Sequence, residues 1–477
     1  MGQEIEGSRF TQADFQRFFD RLKQETELLH QYLGSGRFDN TNTVAGFELE
    51  AWLTDKDCQP APINAEFLRR MNNPLVCPEL ASFNVEFNFT PQNLEGQALS
   101  VIENEMRQLW QSGCDTAKDM GGQLVMIGIL PTAEDSHLTI DNISSMNRFR
   151  ALNDQVLKLR QCRPLELNIL GRDHLRSSHM DVMFESATTS FQIHLQVPLD
   201  LAVRAYNASV IASAMTVAVS ANSPYLCGKD LWAETRIPLF EQAVEVGGYE
   251  HAAHGPLRRV SFGSGYAKQS IFECFKHNLD HFPILLPDDI HDPAEKFSHV
   301  RLHNGTLWRW NRPLIGVEDD GNYHIRIEHR VVPSGPSVRD AIANAAFYYG
   351  LATYLINSEI PPETLLPFDH ARDNFYNAAK NGLDAHIVWL DGNKYSIKTI
   401  ILDKLLDYAA NGLQQSSIDA ADIDLYLDII RIRTEKGLNG AAWQRGFVDK
   451  FGKDMKSLTA AYIDRQNSGE PVHNWDY

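Results

Sequence analysis

The stretch Val44-Ala45-Gly46-Phe47-Glu48-Leu49-Glu50-Ala51-Trp52-Leu53 decides the fold. Successive strand side chains point to opposite faces. Phe47, Leu49, Ala51 and Leu53 therefore share an apolar side, and Glu48 and Glu50 share the other. Three further stretches repeat the division. Residues 83–90 set Asn84, Glu86 and Asn88 against Phe83, Val85, Phe87 and Phe89. Residues 189–197 set Ser190, Gln192, His194 and Gln196 against Phe191, Ile193, Leu195 and Val197. Residues 323–331 set His324, Arg326, Glu328 and Arg330 against Tyr323, Ile325, Ile327 and Val331. A merely solvated face is rich in Lys, Thr and Ser, whereas these four carry acids, amides, histidine and arginine and no lysine. That composition predicts a site spread over a sheet.

Working outward, helices alternate irregularly with these strands. Thr11 with Asp14 three residues later caps a helical pattern built on Phe15, Phe18, Leu22, Leu29 and Leu33, which Gly34-Ser35-Gly36 ends. Similar spacing predicts helices near 65–71 and over 99–120, 148–159, 201–220 and 338–356, and a mostly apolar strand over 123–130. Residues 131–183 read as mixed apart from their one helix. Residues 225–313 are rich in Gly, Pro, His and aromatics without a clear period, as loops around a site often are. From Pro361 onward the pattern is mainly helical. No regular βαβ alternation and no glycine-rich phosphate loop is present, so the expected class is α+β: a mainly antiparallel sheet with helices behind and a polar, open face in front. The expected organisation is one domain over 1–360 and a helical extension over 361–477, packed on the same domain.

The chain has 477 residues, 43% of them hydrophobic and 22% charged, which is ordinary for a globular protein. Its 44 Lys+Arg against 62 Asp+Glu give a formal charge of −18. Such a surface repels nucleic acid and anionic membranes, so neither is expected as a partner. Six scattered cysteines with no C-x-x-C pair read as a reduced pattern rather than a disulfide framework. The N-terminus at 1–9 is polar, and no apolar run nears the roughly 20 residues needed to cross a bilayer. A cytoplasmic location is expected.

Glu48 and Glu50 are i and i+2 on one strand, about 6–7 Å apart at the backbone. Two sheltered carboxylates repel, and a divalent cation relieves that repulsion. Oxygen donors with one imidazole suit Mg²⁺ or Mn²⁺. Mg²⁺ usually completes its shell with phosphate and water, which points to a nucleoside triphosphate. By itself Glu-x-Glu is equally a solvent-facing strand; its company with Glu86 and Glu328 makes the case. His194 alone reads as a packed histidine, but between Gln192 and Gln196 it becomes a metal or phosphate contact. Arg326 and Arg330 flank Glu328. One of them fits a cross-strand ion pair, and Arg330 fits a donor to a substrate carboxylate or phosphoryl oxygen. His277 and His281 lack the glutamate of a zinc-protease pattern, the 261–266 Gly/Ser loop is a common type, and Trp308, Trp310, Arg309 and Arg312 line a pocket or simply pack.

The ordered set Gly46-Phe47-Glu48-Leu49-Glu50, Phe83-Asn84-Val85-Glu86-Phe87-Asn88, Ile193-His194, Asn222-Ser223-Pro224-Tyr225 with Gly228 and Arg236, Arg312-Pro313 and Ile327-Glu328-His329-Arg330 resembles the glutamate–cysteine ligase type 2 family. That family includes carboxylate–amine ligases and is similar in fold to the catalytic domain of glutamine synthetase, which implies a curved antiparallel sheet whose polar face lines the active site and makes 1–360 the catalytic domain. The resemblance implies ATP and Mg²⁺, phosphorylation of a glutamate-like γ-carboxylate, and amine attack on the acyl phosphate to give an amide, γ-glutamylcysteine being one case. It implies that Glu48, Glu50, Glu86 and Glu328 hold metal and that His194, Glu328 and Arg330 are catalytic. Arg236, Arg312, Gln192 and Asn88 become substrate-binding candidates. The implied partners are small molecules, a glutamate-like acid and an amino acid or amine acceptor, taken up by a monomer or homodimer. Where the family often shows His-x-His-x-Gly, this chain has Gln192-Ile193-His194-Leu195-Gln196, so the acceptor or the acid can differ. The rival readings are a ligase-like scaffold that binds a metabolite without turnover, and a carboxylate-pair glycosidase, whose retaining form needs carboxyl groups about 5–5.5 Å apart.

Overall fold

The computed structural model describes every residue except 1–3, 6, 8, 40–41, 247–257 and 319–320. Parts of the polar N-terminus and of the 225–313 stretch therefore lie outside the described residues. The chain runs α1 (Gln12–Leu33), β1 (Val44–Asp55), α2 (Asn64–Met71), β2 (Val76–Pro78), β3 (Asn84–Asn88), β4 (Gln92–Asn93), α3 (Ala98–Asp119) and β5 (Gly122–Val125). Next come α4 (Asn147–Leu159), β6 (Leu165–Leu170), β7 (His174–His179), β8 (Phe191–Val197), α5 (Ala202–Ser220), β9 (Tyr225–Leu226), β10 (Lys229–Asp230) and α6 (Arg236–Ala243). Then follow α7 (Phe272–His281), α8 (Ser298–Gly305), β11 (Asn311–Val317), β12 (Tyr323–His329) and α9 (Val338–Ile356). The remainder is α10 (Pro362–Leu365), α11 (Phe368–Asn381), β13 (His386–Val388), β14 (Lys394–Ser396), α12 (Ile397–Ile400), α13 (Leu406–Gln415), α14 (Ala420–Lys436), α15 (Gly440–Phe451) and α16 (Met455–Asn467).

β1 sits mid-sheet because both its edges find partners. The eight-stranded sheet runs β11-β12-β8-β1-β3-β2, with β4 and β5 also pairing β1. Every pairing in it is antiparallel, so the expected α+β class with an antiparallel sheet holds. The apolar side packs on helices: Phe47 stacks on Phe191 at 5.2 Å and meets Tyr349 of α9 edge-on at 5.8 Å. The helix over Ala202–Ser220, whose composition would allow a membrane span, is buried in this core beside α9.

Four differences from the sequence reading have physical causes. The strand expected over 123–130 stops at Val125, because the Met126 amide and carbonyl are taken by Gln466 and Tyr462 of α16. Residues 165–179 form a hairpin whose short alternation (Leu165, Leu167 and Ile169 buried, their neighbours exposed) was hidden in a mixed stretch. Among its described residues the 225–313 stretch holds α6, α7 and α8, the short strands β9 and β10 and the start of β11, an edge strand that tolerates Pro313 because an edge position need not donate on both sides. The polar sheet face is recessed at the floor of a cavity instead of lying on the surface: Glu86, Gln192 and Glu328 are fully buried, and Glu48 and Glu50 are under a tenth exposed.

Residues 361–477 pack onto the same sheet-backing helices. α9 and α13 approach so closely that neither Gly350 nor Gly412 has room for a Cβ. Arg433 of α14 pairs with the fully buried Asp340 of α9 at 2.6 Å.

Candidate active site

Register brings the polar side chains together. Glu50 of β1 lies opposite Glu86 of β3, and Glu48 lies opposite Asn88 on one side and Gln192 of β8 on the other. His194 lies opposite Gly46 and Glu328. Two groups of three donors result, one atom from each residue lying within 4.8 Å of the others: Glu48 with His194 and Glu328, and Glu50 with Glu79 and Glu86. Because Glu48 and Glu50 are two residues apart on one face, the groups are neighbours.

In the first group His194 Nε2 lies 3.4 Å from Glu48 Oε1 and 4.0 Å from Glu328 Oε1. Arg326 Nε donates to His194 Nδ1 at 3.1 Å, so the imidazole's own proton sits on Nε2. Burial pushes His194 down to about 3, aided by Arg326, Arg312 and Arg330 against the pull of Glu328, and the ring is neutral at physiological pH. Arg312 donates to Glu328 through two nitrogens at 2.8 and 3.0 Å, and Arg330 Nη1 lies 3.3 Å from the same carboxylate. Burial by itself would raise Glu328, but Arg312, Arg330 and His194 outweigh it and hold the group well below the ordinary carboxyl range. Glu48 has no such partner. Burial, then the charges of Glu86 and Glu328, push it far above that range.

Among the described residues, no arginine is seen bonded to Glu50 or Glu79 of the second group. Ser190 N–H and Gln192 Nε2 donate to Glu50 at 2.6 and 2.8 Å, and Cys77 Sγ and Asn88 Nδ2 donate to Glu86 Oε1 at 3.3 and 3.1 Å. Burial first, then Glu79, raises Glu86 to about 8. Burial, then Glu50 and Glu185, raises Glu79 to about 7. Buried like charges of this kind are what a divalent cation neutralises. The hard oxygen donors with one imidazole match Mg²⁺ or Mn²⁺. Glu48 Oε2 and His194 Nε2 are buried without a hydrogen-bond partner, so the donor set fits a cation.

A cavity of about 1100 Å³ opens over the first group, lined by Glu48, His194, Asn88, Gln196, Arg326 and Arg37 among others. That is ample for a nucleotide-sized ligand. The remaining expected residues are placed differently. Gln192 bridges Glu50 and Arg330, its amide nitrogen donating to the first and its oxygen accepting from the second. Arg330 keeps a buried Nε–H with no acceptor. Arg312 is bonded to Glu328 and to the Asn304 and Leu307 carbonyls. Arg236 lies behind the sheet's end, paired with Glu234 at 3.1 Å and donating to the Val331 carbonyl at 2.7 Å. His329, inside the Glu328–Arg330 motif, points the other way and is held by Asn311 and Thr216. Glu79 escaped the sequence reading because it follows the short β2 in a stretch with no period. Only the Cys77–Glu86 pairing reveals it.

Compared with known families, residues 44–467 match the model of glutamate–cysteine ligase family 2. No curated protein sequence matches. Among solved structures, glutamate–cysteine ligase from Francisella tularensis in complex with AMP is 12% identical with a TM-score of 0.52, covering 92% of this chain and 96% of its own. A bifunctional glutathione synthetase from Pasteurella multocida is 11% identical with a TM-score of 0.48, covering 92% of this chain and 55% of its own. The first likeness supports the fold; the second is too loose to bear on it.

Proposed function

Because the chain belongs to glutamate–cysteine ligase family 2 and is thus an ATP-dependent carbon–nitrogen ligase, we propose that it joins a glutamate-like acid to an amine through an acyl phosphate. The substrates are small molecules, the product is a γ-glutamyl-type amide, and γ-glutamylcysteine is the first to test. The observation that carries this reading is the pair of adjacent donor groups on one buried sheet face, with Arg330 beside both. Residues 361–477 are proposed to belong to the same catalytic domain, since the family match runs into α16.

Glu48, His194 and Glu328 would hold one Mg²⁺, and Glu50, Glu79 and Glu86 a second. When bound, such ions neutralise phosphate charge and polarise the phosphoryl group for transfer. The protein's own part is positioning. Arg330 directs its unsatisfied Nε–H toward the anionic end of the acid or the phosphoryl oxygens, where a fixed donor in a buried setting is strongest. Arg312 and Gln192 hold Glu328 and Arg330 in place, and Arg236 fixes the backbone beyond them. Asn88 steadies Glu86. Coordination through His194 Nε2 would need the proton on Nδ1, so Arg326, which donates to Nδ1 and lines the cavity, would have to release that contact when a metal is held.

The test is ADP release by purified protein given Mg-ATP, glutamate and a panel of amino acids and amines, with the amide identified by mass. Mg-dependent ADP release matched to one amide is expected. No ADP with any pair, together with no rise in melting temperature on adding Mg-ATP, defeats the proposal.

A further inference from the structure

Glu25 of α1 and His299 of α8 form a buried pair that the ligase reaction does not use, and α1 itself precedes the span matched by the family model. Glu25 is fully buried, and its Oε2 accepts the His299 and Val300 N–H groups at 2.8 and 3.1 Å, capping the start of α8 from a neighbouring helix. Its Oε1 lies 2.6 Å from His299 Nδ1. A carboxylate accepts, so Nδ1 carries the ring proton and Nε2 is left with its lone pair. Among the described residues Nε2 meets no donor, although His299 is only 2% exposed. The residue forms part of the wall of a cavity of about 310 Å³, which shares no lining residue with the larger cavity over Glu48. Capping α8 needs the carboxylate alone. A buried ring held at Nδ1 and left with an open acceptor at a cavity wall is a recognition element.

The rest of the wall defines the guest. Phe18, Arg21 and Glu25 recur at i, i+3 and i+7, on one face of α1. Arg21 donates to the Asp292 carbonyl at 2.8 Å and to Gln24 at 3.1 Å, and among the described residues no carboxylate pairs with it. A guanidinium anchored in this way takes a carboxylate. His299 Nε2 takes an N–H, and Asp289 at the exposed mouth adds negative charge. Phe18, whose ring lies 4.9 Å from that of His299, forms an apolar stretch with Pro287 and Ile290. A metal does not suit the site, since among the described residues the donor groups that converge closely enough are the two of the candidate active site.

We propose that this cavity binds a free α-amino acid with an aliphatic side chain, apart from the ligase cavity. Its carboxylate meets Arg21, its ammonium donates to His299 Nε2, and its side chain lies against Phe18, Pro287 and Ile290. The site goes beyond the ligase reading and stands whether or not ADP is released.

The experiment is calorimetric titration of the full-length protein with L-leucine, with 4-methylpentanoate, which lacks the amino group, and with 3-methylbutylamine, which lacks the carboxylate. Leucine is expected to bind, and each analogue to bind at least roughly tenfold more weakly. Arg21→Ala should weaken leucine roughly 10- to 100-fold and leave 3-methylbutylamine unchanged. His299→Phe should weaken leucine and the amine and leave 4-methylpentanoate unchanged. If His299→Phe does not fold, Ile290→Trp decides, because it fills the cavity from its apolar side without altering Glu25 or His299. That variant should lose leucine binding while its ADP release stays at the wild-type level. No leucine binding by wild type, or wild-type affinity in Ile290→Trp, overturns the proposal. Leucine binding that disappears in Arg330→Ala and persists in Arg21→Ala puts the amino acid in the ligase cavity and overturns it too.

Discussion

The two donor groups start two residues apart on β1 and use nearly the same side chains, yet their electrostatics differ. Around Glu48, His194 and Glu328 the fold places Arg312, Arg326 and Arg330, and one acid stays ionised at any ordinary pH. Around Glu50, Glu79 and Glu86 the bonded partners among the described residues include two backbone amides, two side-chain amides and a thiol, and two of the three acids are held up near neutrality. Composition alone would treat the groups as equivalent. Their neighbours make one a compensated charge and the other a site where a cation must displace protons.

That contrast can be broken in several ways. The largest effect is expected from Arg330→Ala, which removes a charge that lies against Glu328 and, through Gln192, against Glu50; ligase turnover should fall roughly 10³-fold or more, read as ADP release. A small loss would mean that Arg330 serves Glu328 alone. Next, Glu328→Gln strands Arg312 in a buried position and should lower stability by about 3–5 kcal/mol in denaturant unfolding. Glu86→Gln removes a repelling acid and should leave the metal-free protein as stable or more so. Equal destabilisation by both would erase the distinction.

A pH series gives a smaller, signed effect. Glu79 and Glu86 keep their protons in the folded protein up to about 7 and 8, whereas the unfolded chain loses them near the ordinary 4.5. Their contribution to stability without metal is therefore complete below about pH 4.5 and is lost as pH rises through 7 to 8. Melting temperatures of metal-free protein should fall over that window and flatten in a Glu79→Gln/Glu86→Gln double variant. Mg²⁺ affinity should rise over the same window as the protons leave. The smallest effect is expected from Asn88→Ala, which deletes one donor to Glu86 and should weaken Mg²⁺ binding by about tenfold in calorimetry.

Much of this was legible in the chain. Alternation named Glu48, Glu50, Glu86, His194, Glu328 and Arg330 as sharing polar faces, and it placed the apolar residues that pack the opposite side of the sheet on helices. Glu79 was not legible, because it sits on a short irregular segment whose direction is set by neighbours far away in sequence. Arg236 and Arg312 were visible as arginines near the motifs, but the bond of Arg312 to Glu328 follows from the register of β11 on β12, and Arg236, at the start of α6, pairs with Glu234 two residues before it. The shortening of β5 has the same origin, since α16, more than 300 residues later, takes the Met126 groups that would have extended it.

The sequence by itself determined which side chains face the same way, since the two-residue period of a strand is a local property of the backbone. Only the tertiary structure decided which acids meet, which of them an arginine neutralises, and which keep a proton. Those outcomes depend on distances between segments and on exclusion of water, and neither is encoded within any one strand.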